Sequence, residues 1–249
     1  FRRREMSTRG KCLLITGAGS GVGRATAILA ATRGARCALV GRSVEKLQAT
    51  AAMMTSSDVV IIAADIGVEA DVARVLSRTR ESFGQLDAIF NIAGAAPRVA
   101  IPETTEHLMR SCMSANFFGA ASLVTGAWDD LRRSRGVVVN VSSLAAVDPF
   151  PGFLPYGAAK AALESLTRSI HVEGREHGVR AFTLRLGAVE TPMLRSLFDE
   201  EACPKELALQ PSEVALEILA CLEGERDERI GLAIELLKSP HNPLKVTTV

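Results

Sequence analysis

Short apolar runs alternate with helix-forming segments along the chain, and this alternation constrains the fold more than any other feature. Seven runs are rich in Val, Ile, Leu and Phe. Most of them lack a strict alternation of apolar and polar residues, which is typical of strands buried on both faces of a parallel sheet. The runs predict strands over Lys11–Thr16, Arg36–Val40, Val59–Ala64, Leu86–Asn91, Gly136–Val141, Val179–Leu186 and Ile230–Leu236.

Helical patterns fill the intervals between these runs. Gly34, Gly84 and Gly178 follow helical segments, where a left-handed residue commonly ends a helix. This alternation predicts a doubly wound α/β fold, in which a seven-stranded parallel sheet carries helices on both faces. The predicted helices cover Gly21–Arg33, Val44–Met54, Val68–Phe83, Thr104–Arg133, Tyr156–Glu176 and Pro211–Leu222.

The 249 residues show no break in composition, so we expect a single domain over residues 1–249. Residues 1–9 are predicted to form a disordered tail, in which Met6 is a candidate for the natural start. The segment 193–211 interrupts the strand–helix pattern after the sixth strand, at the sheet edge where ligands of such folds bind. We predict a substrate lid there, with an ordinary surface loop as the alternative.

Composition excludes several classes of partner. Lys and Arg number 29 against 28 Asp and Glu, which argues against a nucleic-acid surface. No apolar run reaches the roughly 18 residues needed to span a bilayer, so no membrane partner is expected. Five cysteines without a Cys-x-x-Cys pair indicate free thiols in a reducing compartment, and we expect a cytoplasmic protein. The four histidines do not lie at metal-ligand spacing, so no metal site is predicted.

A glycine-rich turn joins the first predicted strand to the first helix. Glycines let the backbone approach a pyrophosphate closely, and the following helix N-terminus offers N–H groups and a favourable dipole. Such a turn between a strand and a helix is typical of a dinucleotide-binding Rossmann fold. We therefore predict cofactor contacts from the turn, which reads Thr16-Gly17-Ala18-Gly19-Ser20-Gly21-Val22-Gly23.

The end of the second predicted strand bears on the choice between NADP(H) and NAD(H). A site for NAD places an Asp or Glu there to accept from the ribose 2′-hydroxyl. This strand instead runs into Gly41, Arg42 and Ser43, and the last two offer a guanidinium and a hydroxyl suited to a 2′-phosphate. We therefore predict NADP(H), although Arg42 could also be an ordinary solvated residue.

Three residues suggest acid–base chemistry on a substrate oxygen. Tyr156, the only tyrosine, lies four residues before Lys160, so both fall on one face of a helix. Ser143 lies at the end of a predicted strand, 13 residues before Tyr156. A neighbouring ammonium and the positive nicotinamide of an oxidised cofactor both favour the phenolate. The pattern predicts Tyr156 as the proton donor or acceptor and Ser143 as a hydrogen-bond partner of the substrate oxygen.

In order and position, these motifs resemble the short-chain dehydrogenase/reductase family over nearly the whole chain. The resemblance implies that Asn116 is a fourth catalytic residue, which kinks its helix and holds a water that links Lys160 to solvent. It also implies that Asn140-Val141-Ser142-Ser143 is the serine motif. Further cofactor-binding residues are implied in three segments, by Asp65 and Ile66, by Asn91, Ala93 and Gly94, and by Gly187, Val189 and Thr191. Tyr156 and Lys160 are also expected to contact the cofactor, with Lys160 positioning its ribose.

The chain departs from the family pattern in three places. Ile92 stands where the family has a second Asn, and Leu186 stands where it has a Pro. The C-terminal region lacks the Asp-Gly-Gly ending of the family's last strand, which weakens the expectation of a tetramer. The resemblance still implies a homo-oligomer, either a homodimer or a homotetramer.

The pattern as a whole predicts an enzyme that transfers a hydride between NADP(H) and a small ketone or secondary alcohol. Phe150, Phe153, Met193 and Phe198 flank the predicted site, so apolar substituents are expected on the substrate. Arg98 and Arg195 lie on the same loops and could hold a carboxylate or phosphate, or simply face solvent. Two alternatives stay open: an NAD-dependent dehydrogenase of the same family, and a non-catalytic NADP(H)-binding sensor or scaffold.

Overall fold

An eight-stranded sheet forms the centre of the protein, in a computed structural model that describes residues 7–55, 58–239 and 242–247. The strand order is β3-β2-β1-β4-β5-β6-β7-β8, with the first seven strands parallel and β8 antiparallel to β7. The strands are β1 Cys12–Thr16, β2 Arg36–Gly41, β3 Val59–Ala63, β4 Ala88–Asn91, β5 Val137–Ser143, β6 Arg180–Leu186, β7 Ala233–Ser239 and β8 Asn242–Thr247.

Helices cover both faces of the sheet, which confirms the predicted doubly wound α/β fold. The helices are α1 Gly21–Thr32, α2 Val44–Ala52, α3 Glu69–Phe83, α4 Glu106–Met113, α5 Gly119–Gly126, α6 Trp128–Ser134, α7 Leu154–Gly174, α8 Pro192–Leu197 and α9 Pro211–Glu223. Residues of α1, α2 and α9 share one buried core, and residues of α3, α5, α6 and α7 share another. Along β1, Leu13 and Ile15 point into the first core and Leu14 into the second. Burial on both faces explains the continuous apolar runs.

The predicted helix over Thr104–Arg133 is wrong in its continuity. The structure divides this segment into α4, a π-helical turn over Ser114–Phe118, α5 and α6. The Asn116 side chain donates to the Cys112 carbonyl at 2.9 Å, so it competes with the regular helical ladder. The turn thereby positions Asn116 in the protein interior, where it is 2% exposed.

Strands β4 and β7 begin two and three residues later than predicted, three other strands begin one residue later, and one strand was not predicted. Gly231 has a φ of 79°, so the chain turns before β7 instead of extending from Ile230. Leu86 and Asp87 likewise precede β4, and the backbone N–H of Cys12 donates to the Asp87 carboxylate at 2.7 Å. The eighth strand carries a Pro and a Lys among few apolar residues, so its sequence gives no strand pattern.

The first residues in the described part of the chain pack against α9. Thr8 is 1% exposed, and its hydroxyl donates to Glu223 at 2.7 Å. Residues 1–6 of the predicted tail, with Met6, lie outside the described residues. No helix among the described residues is long and apolar enough to cross a membrane.

Candidate active site

The glycine-rich turn between β1 and α1 is shaped by close backbone contacts. Gly17 and Gly21 have φ values of 69° and 50°, which favour glycine. A Cβ at Gly17 would lie 3.0 Å from Ala93, and a Cβ at Gly23 would overlap the Gly17 carbonyl. The turn therefore needs glycine at these positions, and it presents bare backbone at the carboxyl edge of the sheet.

Side chains from α1 and α2 hold the turn in place. The Arg24 guanidinium donates to the Gly19 carbonyl at 2.5 Å and to the Thr50 hydroxyl at 3.1 Å. Thr50 in turn donates to the Ala18 carbonyl at 2.8 Å. Ser20 precedes α1 without a capping hydrogen bond from its side chain. A glycine cradle in front of a helix N-terminus fits the pyrophosphate of a dinucleotide.

Thr16 joins the turn to the segment after β4. Its hydroxyl accepts from the backbone N–H groups of Ile92 and Ala93 at 2.9 and 3.0 Å and donates to the Phe90 carbonyl at 3.2 Å. Thr16 is fully buried. It was predicted as a cofactor contact, and the structure places it beneath the turn, where it positions Gly17 and Ala93.

Two basic residues lie near the glycine turn, Arg42 directly after β2 and Lys46 on α2. Arg42 is exposed, and no described residue forms a hydrogen bond or ion pair with its side chain. Ser43 caps α2 by accepting from the Lys46 backbone N–H at 3.2 Å, and its hydroxyl donates to Glu45 at 2.8 Å. Lys46, which sequence reasoning missed, places its Cβ 3.0 Å from the position a Cβ would take on Gly19. Lys46 lies about one helical turn after Ser43, and this spacing is the sequence signal that could have indicated it.

The predicted acid–base residues meet at the carboxyl end of β5. Tyr156 and Lys160 lie one turn apart near the start of α7, and the Ser143 hydroxyl lies close enough to the Tyr156 phenol to stabilise its ionised form by hydrogen bonding. Lys160 is 3% exposed and donates to the Val141 carbonyl at 2.8 Å. Its Nζ lies 5.6 Å from the centre of the Tyr156 ring. The structure thus brings together the three residues that the spacing predicted.

Burial governs the ionisation of both groups. It raises the pKa of Tyr156 to about 12, and the hydrogen bond with Ser143 only partly offsets this effect. It lowers the pKa of Lys160 to about 8. Both directions follow from the cost of placing a charge in a medium of low dielectric constant. The phenol therefore moves opposite to the direction expected from a neighbouring ammonium, because desolvation is the larger effect.

Asn116 borders the same site from the π-helical turn. Its amide donates to the Ala95 carbonyl at 2.9 Å, and its Oδ1 accepts from the Ala95 N–H at 3.3 Å. A Cβ at Gly94 would lie 2.5 Å from Asn116 Oδ1 and 3.4 Å from Lys160 Nζ. Gly94 thus lies between the amide of Asn116 and the ammonium of Lys160. Because Gly94 has no side chain, both polar groups face the same open space.

Cys112 is a neighbour of this site that sequence reasoning missed. The thiol is buried, and Asn116 Nδ2 lies 3.4 Å from its sulfur. Burial raises the pKa of Cys112, and the nearby Lys160 partly offsets the rise. Cys112 lies one helical turn before Asn116, and this spacing was the only signal available in the sequence.

The remaining predicted cofactor residues line the same sheet edge or stand directly behind it. Asp65 accepts from the Gly67 N–H at 2.9 Å, and Ile66 is buried. Asn91 is buried and donates to Asn140 at 2.8 Å, so it joins β4 to β5. Gly187, Val189 and Thr191 follow β6; Val189 is buried, and a Cβ at Gly21 would lie 2.9 Å from the Thr191 methyl group.

An aromatic row extends from Tyr156 to the predicted lid. The Phe153 ring lies 6.0 Å from the Tyr156 ring and stacks on Phe198 at 6.3 Å. The guanidinium carbon of Arg98 lies 5.3 Å from the Phe198 ring centre. Segment 193–211, the predicted lid, therefore contacts the residue before α7 through Phe198.

Arg195 is engaged within the predicted lid. It forms a bidentate pair with Glu190 and donates to the carbonyls of Asp199 and Cys203 at 3.0 and 2.8 Å. Met193 is 39% exposed in the same segment. The hypothesis that Arg195 holds a substrate anion is disfavoured, because its donors are already used.

A buried ion cluster behind the site was also missed. Arg185 on β6 pairs with Glu164 on α7 at 2.7 Å and with Glu235 on β7 at 2.6 Å. The two carboxylates raise the pKa of Arg185. Ser142, the neighbour of Ser143, donates to Glu164 at 2.8 Å. The Glu164–Arg185–Glu235 cluster joins the elements that carry the site residues, and no local motif indicates it.

Several known proteins resemble this chain in sequence. A family model described as short chain dehydrogenase matches residues 11–202. The chain is 35% identical over 205 residues to an "Uncharacterized oxidoreductase" of Thermotoga maritima, with 81% of each chain covered. It is 34% identical over 197 residues to a 2,5-dichloro-2,5-cyclohexadiene-1,4-diol dehydrogenase of Sphingobium indicum, with 78% of each chain covered.

Solved structures have the same fold. Levodione reductase superimposes with a TM-score of 0.86 at 27% identity, covering 92% of this chain and 96% of that one. A 3-ketoacyl-(acyl-carrier-protein) reductase of Brucella melitensis, complexed with NADH, gives a TM-score of 0.85 at 26% identity, covering 92% and 97%. The family match and the sequence identity together establish that this protein is an oxidoreductase of the short-chain dehydrogenase family.

Proposed function

We propose that this protein is an NADP(H)-dependent oxidoreductase that transfers a hydride between nicotinamide and a ketone or secondary alcohol. The observation that carries the proposal is the convergence of Tyr156 and Ser143 beside the buried ammonium of Lys160. Burying an ammonium is costly, and a protein that only binds a nucleotide has no need of one beside a phenol. This argues against the non-catalytic sensor or scaffold.

The glycine turn and the residues around it would hold the cofactor. The backbone of residues 17–23 fits the pyrophosphate, and the free guanidinium of Arg42 suits a ribose 2′-phosphate. When bound, the cofactor supplies the hydride donor or acceptor. Its other proposed contacts are Ser43, Asp65, Ile66, Asn91, Ala93, Gly94, Gly187, Val189 and Thr191.

The chain's own residues would move the proton. With a pKa of about 12, Tyr156 is protonated at neutral pH and can donate to a substrate oxygen that gains negative charge. Ser143 would hold that oxygen through its hydroxyl. Lys160 and Asn116 would position the phenol and return a proton to it. The protonated phenol is the form that carbonyl reduction requires, and alcohol oxidation requires the phenolate.

The substrate is proposed to be a ketone or secondary alcohol with apolar substituents. Phe153 packs against Tyr156, and Phe198 stacks on Phe153, so aromatic rings border the reacting hydroxyl. Apolar walls with few polar groups are typical of sites for small organic molecules.

The catalytic part is tested by turnover of the Tyr156→Phe variant with NADPH and a panel of apolar ketones. We expect turnover to fall about 10²- to 10⁴-fold, because general acid catalysis is lost. Cofactor affinity and melting temperature should stay near those of the parent. A variant that retains turnover within a few-fold on the best substrate would refute the acid–base role.

The cofactor part is tested by calorimetric dissociation constants for NADPH and NADH at the same salt concentration. A charge-assisted phosphate contact contributes roughly 1.5–3 kcal/mol, so we expect about a ten- to hundredfold preference for NADPH. Arg42→Ala should remove most of that preference. Arg78 is an exposed arginine on α3, and the control variant Arg78→Ala should keep the preference. Equal affinities in the parent would instead favour the NAD-dependent alternative. In that case the carboxylate of Glu45, beside Ser43, would contribute to NAD binding.

Assembly and compartment complete the proposal. A homodimer or homotetramer and a cytoplasmic location both stay predictions, the latter supported by the five free cysteines. Sedimentation velocity at two protein concentrations would measure the oligomeric state.

A further inference from the structure

An arginine-lined cleft lies at the edge of the sheet opposite the cofactor turn. It is formed where α6 leads into β5 and where α7 leads into β6, before the amino ends of both strands. Its volume is about 810 Å³, which is within the range of small-molecule sites. We call it the arginine cleft, and it is lined by Asp129, Arg132, Arg133, Arg135, Arg175, Glu176, His177 and Gly178.

The arginine cleft has an excess of positive charge on a chain that is nearly neutral overall. Four arginines face two carboxylates there, while the whole chain has a formal charge of +1. Arg132 lies 3.6 Å from Asp129, and Arg133 pairs with Asp130. In the part of the chain that the structure describes, no hydrogen bond or ion pair involves the side chains of Arg135 and Arg175. Two guanidiniums are therefore free to bind an anion.

The backbone directs one of these arginines into the cleft. Arg135 has φ and ψ values of 50° each at the end of α6, and it is the only non-glycine residue with positive φ among those described. Glycine usually takes this position because side chains are disfavoured there. The Arg135 side chain runs along Gly178, where a Cβ would lie 3.3 Å from its Cγ and Cδ. Because Gly178 has no side chain, the Arg135 side chain can pass over it toward the cleft.

We propose that the arginine cleft binds a small anion with two or more phosphate groups, such as pyrophosphate or the polyphosphate of a nucleotide. Guanidinium groups bind phosphate oxygens in pairs through their planar N–H donors, so Arg135 and Arg175 can each hold one phosphate. Arg132 and His177 border the same space and add donors. The site is separate from the glycine turn, since the two lie at opposite ends of the parallel strands.

Calorimetry with inorganic pyrophosphate tests the proposal on the parent protein, with and without saturating NADPH. We expect one binding event that NADPH leaves unchanged. Arg135→Gly and Arg175→Ala should each weaken it at least about tenfold, as expected for loss of a charge-assisted contact. Glycine suits the backbone at position 135, so the first variant should fold at least as well as the parent.

Arg78→Ala provides the matched control, because Arg78 is an exposed arginine on α3 outside the cleft. Its dissociation constant for pyrophosphate should stay within twofold of the parent. A titration with ATP identifies the source of the phosphates, since tighter binding than pyrophosphate indicates a nucleotide and equal binding indicates phosphate alone. The proposal is overturned if millimolar pyrophosphate gives no saturable heat, or if NADPH abolishes the binding.

Discussion

At the scale of single residues, Tyr156 is both the proposed acid and the only tyrosine in the chain. Its ionisation can therefore be followed without interference from any other phenol. The spacing from Lys160 predicted its position correctly. The direction of its pKa shift could not be predicted from the sequence, because it depends on burial that Phe153 and neighbouring loops create.

This uniqueness makes the ionisation directly measurable. Absorbance at the phenolate wavelength should titrate with a midpoint clearly above the ordinary value of about 10, near the pKa of about 12 set by burial. Addition of NADP⁺ should lower the midpoint, because a positive nicotinamide favours the phenolate. The Tyr156→Phe variant has no tyrosine, so its absorbance is the background to subtract. A midpoint at or below the ordinary value in the cofactor-free protein would contradict the role of burial.

At the scale of elements, the parallel strands and most helices could be predicted because their apolar runs report burial directly. Gly84, for example, has a φ of 71° and ends α3 as predicted. The family resemblance implies a kink at Asn116, but helical periodicity could not predict the π-helical turn at Ser114–Phe118, because its cause is the contact between Asn116 and Ala95, 21 residues apart. Periodicity alone favours one continuous helix there.

The turn depends on Asn116 as a hydrogen-bond donor. Its amide nitrogen donates to the carbonyls of Ala95 and Cys112, both at 2.9 Å. Asn116→Asp keeps the size but sets a carboxylate against two carbonyls, so it should destabilise the fold by about 2–3 kcal/mol. Asn116→Ala removes the donors and the acceptor of the Ala95 N–H without adding a charge, and it should cost about 1–2 kcal/mol. Urea unfolding of both variants measures the difference, and an Asp variant as stable as the parent would contradict this account.

At the scale of the whole molecule, the Glu164–Arg185–Glu235 cluster joins α7, β6 and β7. Its members are far apart in sequence, and each alone reads as an ordinary charged residue. Only the folded sheet brings them together, which is why sequence patterns indicate the strands but not the charges between them. For the same reason, no sequence pattern indicates the arginine cleft.

Removing the central cation should strongly destabilise the protein. Arg185→Met leaves two buried carboxylates without a cation, so we expect a loss of about 3–5 kcal/mol in the free energy of unfolding near neutral pH. Denaturant titrations of the parent and the variant at neutral pH check this. A loss below about 1 kcal/mol would contradict the role assigned to the buried cation.

An exposed ion pair provides the comparison. Arg78 and Glu81 on α3 pair at 3.1 Å with more than half of each side chain exposed, at 57% and 56%. Arg78→Met should change the free energy of unfolding by less than about 1 kcal/mol, because solvent screens such a pair. Equal losses in the Arg78 and Arg185 variants would show that burial does not control the strength of these contacts.

The antiparallel β8 has a consequence for how copies of this chain can meet. Because β7 forms hydrogen bonds with β6 on one side and β8 on the other, its backbone has no free row of donors and acceptors. Within the described sheet, such rows remain only on the outer sides of β3 and β8. Two molecules that join into one continuous sheet must therefore do so through those strands, and β7 is shielded from that kind of association.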